Sequence, residues 1–261
     1  MSTFDKQVAW ITGAGSGIGR ALALELARQG AAVALSGRRE DRLNTVAEEI
    51  TAAGGQALVV PCDVTVEPEV SAAVARVVQH FGQLDVAIAN AGFSVSGPLE
   101  SLSAEDWRRQ LEVNVIGVAV CARHALPALR RSRGRLALVG SVSAYVSVPK
   151  NAPYNASKAA VRAIGDTLSA DLAGSGVSCT QLHPGFVESE IALVDNQGKL
   201  DPTKRDRRPK ALMWKSDAAA RAMLRAVAAR RRHAVITGHG KLGVWVARHF
   251  PGLLAWLLTR R

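Results

Sequence analysis

At 261 residues and 48% hydrophobic, the chain is long enough for one sizeable core and falls in the range of a single α/β domain. Cys62, Cys121 and Cys179 are odd in number, widely spaced and flanked by apolar residues, which argues against a disulfide framework or a cysteine metal site and predicts buried, reduced thiols in a cytoplasmic protein. The net charge of +11 is uneven: residues 199–261 carry 16 Lys/Arg against 3 Asp/Glu, and residues 1–198 carry 17 against 19. A near-neutral body with a basic C-terminal quarter suits an anionic surface or ligand near that end.

The polar start, Met1 to Gln7, leads straight into an apolar run and predicts no secretory leader. Residues 7–12 read as a strand, and Gly13-Ala-Gly15-Ser16-Gly17-Ile18-Gly19 follows. Residues 20–30 then show helical periodicity and end on Gly30. Strand, glycine turn and helix are the context a phosphate-binding loop needs, because glycine lets the backbone approach a pyrophosphate and the helix N-terminus offers free N–H groups. The next strand, 31–36, ends on Gly37 and Arg38. An acid there would hold the ribose 2′-hydroxyl of NAD; Arg38 can instead clamp a 2′-phosphate, which predicts NADP(H) preference with NAD(H) as the second option.

The alternation continues with a helix over 40–53, a strand over 56–61 ending in Cys62-Asp63-Val64, a helix over 66–81, and a strand over 84–89 ending in Asn90-Ala91-Gly92. Such spacing predicts a Rossmann-type doubly wound parallel sheet flanked by helices, with ligands at the C-terminal strand ends. Helical runs occupy 104–131 and 153–173. An apolar run over 136–140 ends at Ser141, 177–182 is a sixth strand, and 233–237 is a last one.

Tyr154 and Lys158 are four residues apart and share one helix face. A fixed ammonium favours the phenolate, so Lys158, together with a cationic cofactor ring, is expected to lower the Tyr154 pKa and make an acid/base for a carbonyl or hydroxyl oxygen. Ser141 can hold the same oxygen from a strand end.

In these motifs the chain resembles the short-chain dehydrogenase/reductase family, classical type, over about residues 5–192. Thr12 to Gly19 matches its TGxxxGIG loop, Asn90-Ala91-Gly92 its NAG motif, and Pro184-Gly185 its PG motif. The resemblance implies that Asn114, Ser141, Tyr154 and Lys158 are catalytic, with Asn114 positioning a water beside Lys158. It implies that Asp63, with Val64 beside it, binds the adenine end, that Asn90 braces the sheet, and that Val187 contacts the nicotinamide carboxamide. Ser189 stands where the family usually has threonine, which keeps the hydroxyl. A homodimer or homotetramer is implied through the helical segments 104–131 and 153–173. His124 and His183 have no triad or metal spacing and read as structural; no metal is expected.

Residues 186–215 correspond to the family's substrate lid, where Ile191, Leu193, Leu212, Met213 and Trp214 either line an apolar pocket or pack the lid itself. A helix over 218–232 is expected, capped by Ser216 or Asp217. With the main domain ending near 240, residues 241–261 form an extension. Its apolar run is too short and too polar to span a membrane. It reads as two short amphipathic helices that lie on an anionic bilayer, close over the pocket, or pack on the domain or a sister subunit. The functional expectation is an NADP(H)-dependent oxidoreductase for a small-molecule carbonyl or alcohol of apolar character. The alternative is a dinucleotide-binding redox sensor without turnover. No nucleic-acid module is recognised.

Overall fold

In a computed structural model, which describes residues 3–201, 203–206 and 208–259, seven parallel strands form one sheet in the order β3-β2-β1-β4-β5-β6-β7. The strands are β1 (Val8–Thr12), β2 (Ala32–Ser36), β3 (Gln56–Val59), β4 (Val86–Ala89), β5 (Arg135–Val139), β6 (Ser178–His183) and β7 (His233–Val235). The helices between them are α1 (Gly17–Arg28), α2 (Glu40–Ala52), α3 (Glu67–Phe81), α4 (Ala104–Leu111), α5 (Gly117–Ser132), α6 (Ala152–Asp171) and α7 (Ser216–Ala228). The inner strands are buried on both faces because helices cover both, while the edge strands β3 and β7 are partly exposed. One core packs α1, α2 and α7 on the sheet through Leu22, Leu26, Val46 and Leu224. The other packs α3 and α5 through Val70, Val77, Ala125 and Leu129. The expected fold class therefore stands.

The strand order reverses between β1 and β4, so the chain leaves adjacent strand ends in opposite directions and opens a crevice there. Backbone bonding fixes its shape. Thr12 Oγ1 accepts from the Asn90 and Ala91 amides at 3.0 and 3.1 Å, and Asn90 Nδ2 donates to the Thr12 carbonyl at 2.9 Å. The three cysteines are free and buried, as expected, and desolvation pushes the Cys62 and Cys179 thiols up to about 12.

Three local expectations need correction. Helix α7 already includes Ser216, so its N-cap is Lys215 in an extended conformation, and neither Ser216 nor Asp217 caps it from outside. Asp217 instead sits in the first turn, where its carboxylate accepts from the Ala218 amide and pairs with Arg221. The same helix stops at Ala228 rather than continuing to 232, because Arg230 turns left-handed (φ 51°) and donates to the Gly134 and Gly176 carbonyls. The last strand stops at Val235 because Thr237 caps a further helix, α8 (Gly238–His249), its side chain accepting from the Gly240 amide. A final helix, α9 (Pro251–Thr259), completes the two short helices expected of the tail. Its last arginines, Arg260 and Arg261, lie outside the described residues.

Candidate active site

Gly13 and Gly17 take left-handed φ angles of 66° and 51°, and a Cβ on Gly19 would collide with the Gly13 carbonyl oxygen. The turn after β1 therefore requires glycine at these places and leaves bare backbone facing the crevice. We expect Gly19→Ala to fold less stably by ~1–3 kcal/mol, as overpacked sites do, and to bind dinucleotide at least about tenfold more weakly. Thermal melts and a nucleotide titration would measure both. The crevice is a cavity of about 690 Å³, within the usual range for small-molecule sites.

Most of the residues singled out in the sequence lie on its wall. Gly13, Ser16, Gly17, Ile18 and Gly19 of the glycine turn line it, as do Arg38, Asp63 and Val64. Asn90, Ala91, Gly92, Tyr154, Lys158, Pro184 and Ser189 complete it. Asn114, Ser141, Gly185 and Val187 do not line it. Gly185 faces away, packed against Thr237 and His239. The Val187 side chain is buried, and its backbone bridges Trp214.

Helix α6 carries Tyr154 and Lys158 one turn apart, as their spacing predicts. The Lys158 ammonium is buried, 5.7 Å from the centre of the Tyr154 ring, and donates to the Val139 carbonyl at 2.9 Å. With no acid beside it among the described residues, desolvation pulls its pKa down to about 8. Without a cofactor ring beside it, the Tyr154 phenol is raised rather than lowered. Burial raises its pKa, while the hydrogen bond with Ser141 and the charge of Arg208 pull it down only in part. In this state Lys158 does not acidify the phenol. Ser141 ends β5, caps the following turn through the Ser143 amide at 3.0 Å, and meets the tyrosine hydroxyl from there.

Asn114 sits in a single π turn (Glu112–Ile116) between α4 and α5. Its side chain makes no local bonds. Oδ1 accepts from the Phe93 amide at 3.1 Å, and Nδ2 donates to the Phe93 carbonyl and Ser157 Oγ at 3.0 and 3.2 Å. It ties the segment after β4 to α6 and approaches the Lys158 ammonium beside Gly92 without a hydrogen bond to it. His183 is packed behind Ser141. Nδ1 lies 3.3 Å from the Ser141 carbonyl, so it donates, which leaves Nε2 to accept from the Tyr145 hydroxyl at 3.4 Å. Burial lowers its pKa to about 4, so this ring is neutral and structural, as read from the sequence.

Part of segment 186–200 lines the crevice. Glu190, Ile191, Val194 and Leu200 form part of the wall. Of the apolar residues expected in segment 186–215, Ile191 alone among the five reaches the cavity. Trp214 packs on the main core, and Leu212 is exposed. Two polar contacts here carry no sequence signature. Glu190 pairs with Arg39 at 3.1 Å, which itself donates to Ser16 Oγ on the glycine turn. Arg208 donates to the Val187 and Ser189 carbonyls at 2.9 and 3.1 Å while held by Asp206. These pairings join residues far apart in sequence, and no local pattern reveals them.

The family model described as short chain dehydrogenase matches residues 7–199. The chain belongs to the short-chain dehydrogenase/reductase family. A protein from Staphylococcus epidermidis named as an uncharacterized oxidoreductase is 37% identical over 192 residues, covering 73% of this chain and 82% of its own. A short-chain dehydrogenase/reductase from Burkholderia phymatum, solved in complex with NAD, superposes with a TM-score of 0.87 at 30% identity, over 97% of this chain and 96% of that one. An alcohol dehydrogenase from the archaeon Thermococcus sibiricus, complexed with 5-hydroxy-NADP, superposes with a TM-score of 0.77 at 30% identity, over 88% and 96% of the two chains.

The walls fit a dinucleotide. The turn puts Gly13, Gly15, Gly17 and Gly19 on the cavity wall beside Ser16, and no side chain caps the N-terminus of α1 there, which suits a pyrophosphate. Lys158 has three donors and, among the described residues, one hydrogen-bond acceptor, so the ammonium that faces the cavity has capacity for ligand hydroxyls.

Proposed function

We propose that the protein is an NADP(H)-dependent oxidoreductase that interconverts an alcohol and a ketone or aldehyde. The observation that carries this reading is the convergence of Tyr154 and Lys158 on the cavity that the glycine turn also lines. Nicotinamide, when bound, supplies the hydride chemistry. Lys158 would hold the adjacent ribose hydroxyls, and the glycine turn the pyrophosphate. Tyr154 would give or take the proton at the substrate oxygen, with Ser141 holding that oxygen. Asn114 would keep α6 and the end of β4 in register around them. Asp63 retains a role at the adenine end, although its Oδ1 already accepts from the Thr65 amide and hydroxyl.

Arg38 supports the NADP(H) preference. It is exposed on the cavity rim, where an anionic 2′-phosphate would meet it. A charge-assisted hydrogen bond contributes about 1.5–3 kcal/mol. Arg38→Ala should therefore weaken NADPH binding by roughly 10–100-fold and NADH binding by less than about threefold. Fluorescence titration with both nucleotides decides the matter; tighter NADH than NADPH binding by the wild type would overturn the preference. Phe93, Val113, Ile191, Val194 and Leu200 on the wall favour an apolar substrate. A homodimer or homotetramer through the outer faces of α5 and α6, and residence in the reducing cytoplasm, complete the reading. The test of the activity is NADPH consumption against a graded panel from small aldehydes to long-chain and ring ketones. Tight nucleotide binding without turnover on any carbonyl, or on alcohols with NADP⁺, would favour the non-catalytic alternative.

A further inference from the structure

Beyond the catalytic reading, and independent of it, lies the C-terminal pair of helices. Helix α8 is anchored on one side only. Val244 is buried, and Gly240 packs against Val142 so closely that a Cβ would not fit. Its other side carries Leu242 and Trp245, which are exposed beside the equally exposed Lys241 and Arg248. Helix α9 has no buried residue. Phe250, Leu253, Trp256 and Leu257 continue the apolar surface, and all six apolar side chains are between 48 and 63% exposed.

Charge chooses the occupant of this surface. From Ala218 to the C-terminus the chain carries no Asp/Glu; the described cations on this surface are Lys241 and Arg248, while Arg221 pairs with Asp217, Arg230 is spent on the Gly134 and Gly176 carbonyls and Arg232 on Asp166. A second copy docked through the same face would set cation against cation, because a two-fold interface pairs like surfaces. Tryptophan, phenylalanine and leucine interleaved with long cationic side chains instead match the boundary between anionic headgroups and acyl chains. Nine residues of α9 span ~14 Å at 1.5 Å per residue, less than half of a bilayer core, so the pair lies on a membrane rather than across it.

We propose that α8 and α9 form a peripheral docking surface for an anionic lipid bilayer. Leu242, Trp245, Phe250, Leu253, Trp256 and Leu257 enter the interface, and Lys241 and Arg248 meet the headgroups. Helix α8 also rests on the turn that begins at Ser141, so docking holds the substrate side of the protein next to the lipid.

The test is flotation of the full chain with phosphatidylcholine vesicles and with vesicles containing phosphatidylglycerol. Binding to the anionic vesicles is expected, with a blue shift in tryptophan emission, at least about tenfold weaker binding to neutral vesicles, and weakening in high salt. The double variant Trp245→Ser/Trp256→Ser should lose at least about tenfold in partitioning, with far-UV circular dichroism and dinucleotide affinity unchanged. Both tryptophans are exposed, and a lipid titration of the wild type reads the same property without any substitution. Equal binding to neutral and anionic vesicles overturns the proposal, as does no binding to either. A wild-type oligomer that the double variant dissociates, without vesicle binding, overturns it in favour of a second copy. Capture of an acidic protein without vesicle binding likewise overturns it.

Discussion

Tyr154→Phe should lower kcat by about 10²–10⁴-fold, the usual contribution of a positioned general acid, while NADPH affinity stays within about threefold of wild type. The phenylalanine keeps the ring that lies 5.7 Å from the Lys158 ammonium and removes only the hydroxyl that meets Ser141. Binding and chemistry therefore separate in this variant. The pH profile supplies the second readout. Reduction needs the protonated phenol and oxidation needs the phenolate, so with rising pH reductive turnover falls and oxidative turnover rises through the same titration. Burial holds the phenol above its ordinary value in the free protein. A bound cationic nicotinamide would draw it down, so the inflection for oxidation in the ternary complex should lie below the phenol titration of the free protein. Retention of more than about a tenth of wild-type kcat by Tyr154→Phe would remove the tyrosine from the mechanism.

Lys158→Met should raise the thermal stability of the nucleotide-free protein at pH 7 while abolishing turnover. The ammonium is buried without a carboxylate, and its pKa drops from 10.5 to about 8. A base with a depressed folded-state pKa destabilises the fold wherever both states carry the proton. That penalty is complete below about pH 8, shrinks as pH rises, and is gone above about 10.5. Its full size is about 3 kcal/mol, from which about 1 kcal/mol is subtracted because methionine leaves the Val139 carbonyl without its donor. The net gain of ~2 kcal/mol corresponds to a Tm rise of roughly 4–8 °C for a chain of this length. Wild type should also gain stability between about pH 8 and 10.5, and the variant should lack that gain. Calorimetry across that range checks both, and a variant melting at or below wild type at pH 7 would mean that the ammonium is better compensated than its surroundings indicate. A buried charge kept at the expense of stability fits a group that receives partners only when ligand is bound.

The sheet was legible because its strands are short β-branched and aliphatic runs closed by glycine or polar turns, at spacings that leave room for one helix each. The glycine turn was legible for a steric reason that is local: the left-handed angles at Gly13 and Gly17 and the close approach at Gly19 exclude a side chain wherever this chain folds so. Helix periodicity made Tyr154 and Lys158 legible as neighbours on one face; the motifs around them and the family resemblance made them legible as a site. What escaped depends on contacts between distant segments. The direction of the Tyr154 shift follows from burial, and a spacing of four residues says nothing of burial. Arg208 on the Val187 and Ser189 carbonyls, and Glu190 on Arg39, need the tertiary path of a segment with little regular structure. The start of α7 was misplaced for a simpler reason. Lys215, Ser216 and Asp217 can each begin a helix, and the backbone of Lys215 is the one that stays extended.

The π turn at Glu112–Ile116 constrains how this chain can change. It amounts to one extra residue slipped into an otherwise continuous helix, and each residue of an α-helix turns the next by about 100°. Helices α4 and α5 are therefore out of phase, with Gln110 directed to the segment after β4 and Ala125 to the sheet. A deletion of one residue between Glu112 and Ile116 would restore regular hydrogen bonding and look harmless by helix propensity. It would also swing Asn114 and Gln110 out of register with each other and release the backbone of Phe93 and Val95 that they hold. Substitutions are thus tolerated more readily here than changes of length, and the number of residues between Gln110 and Gly117 is itself part of the site.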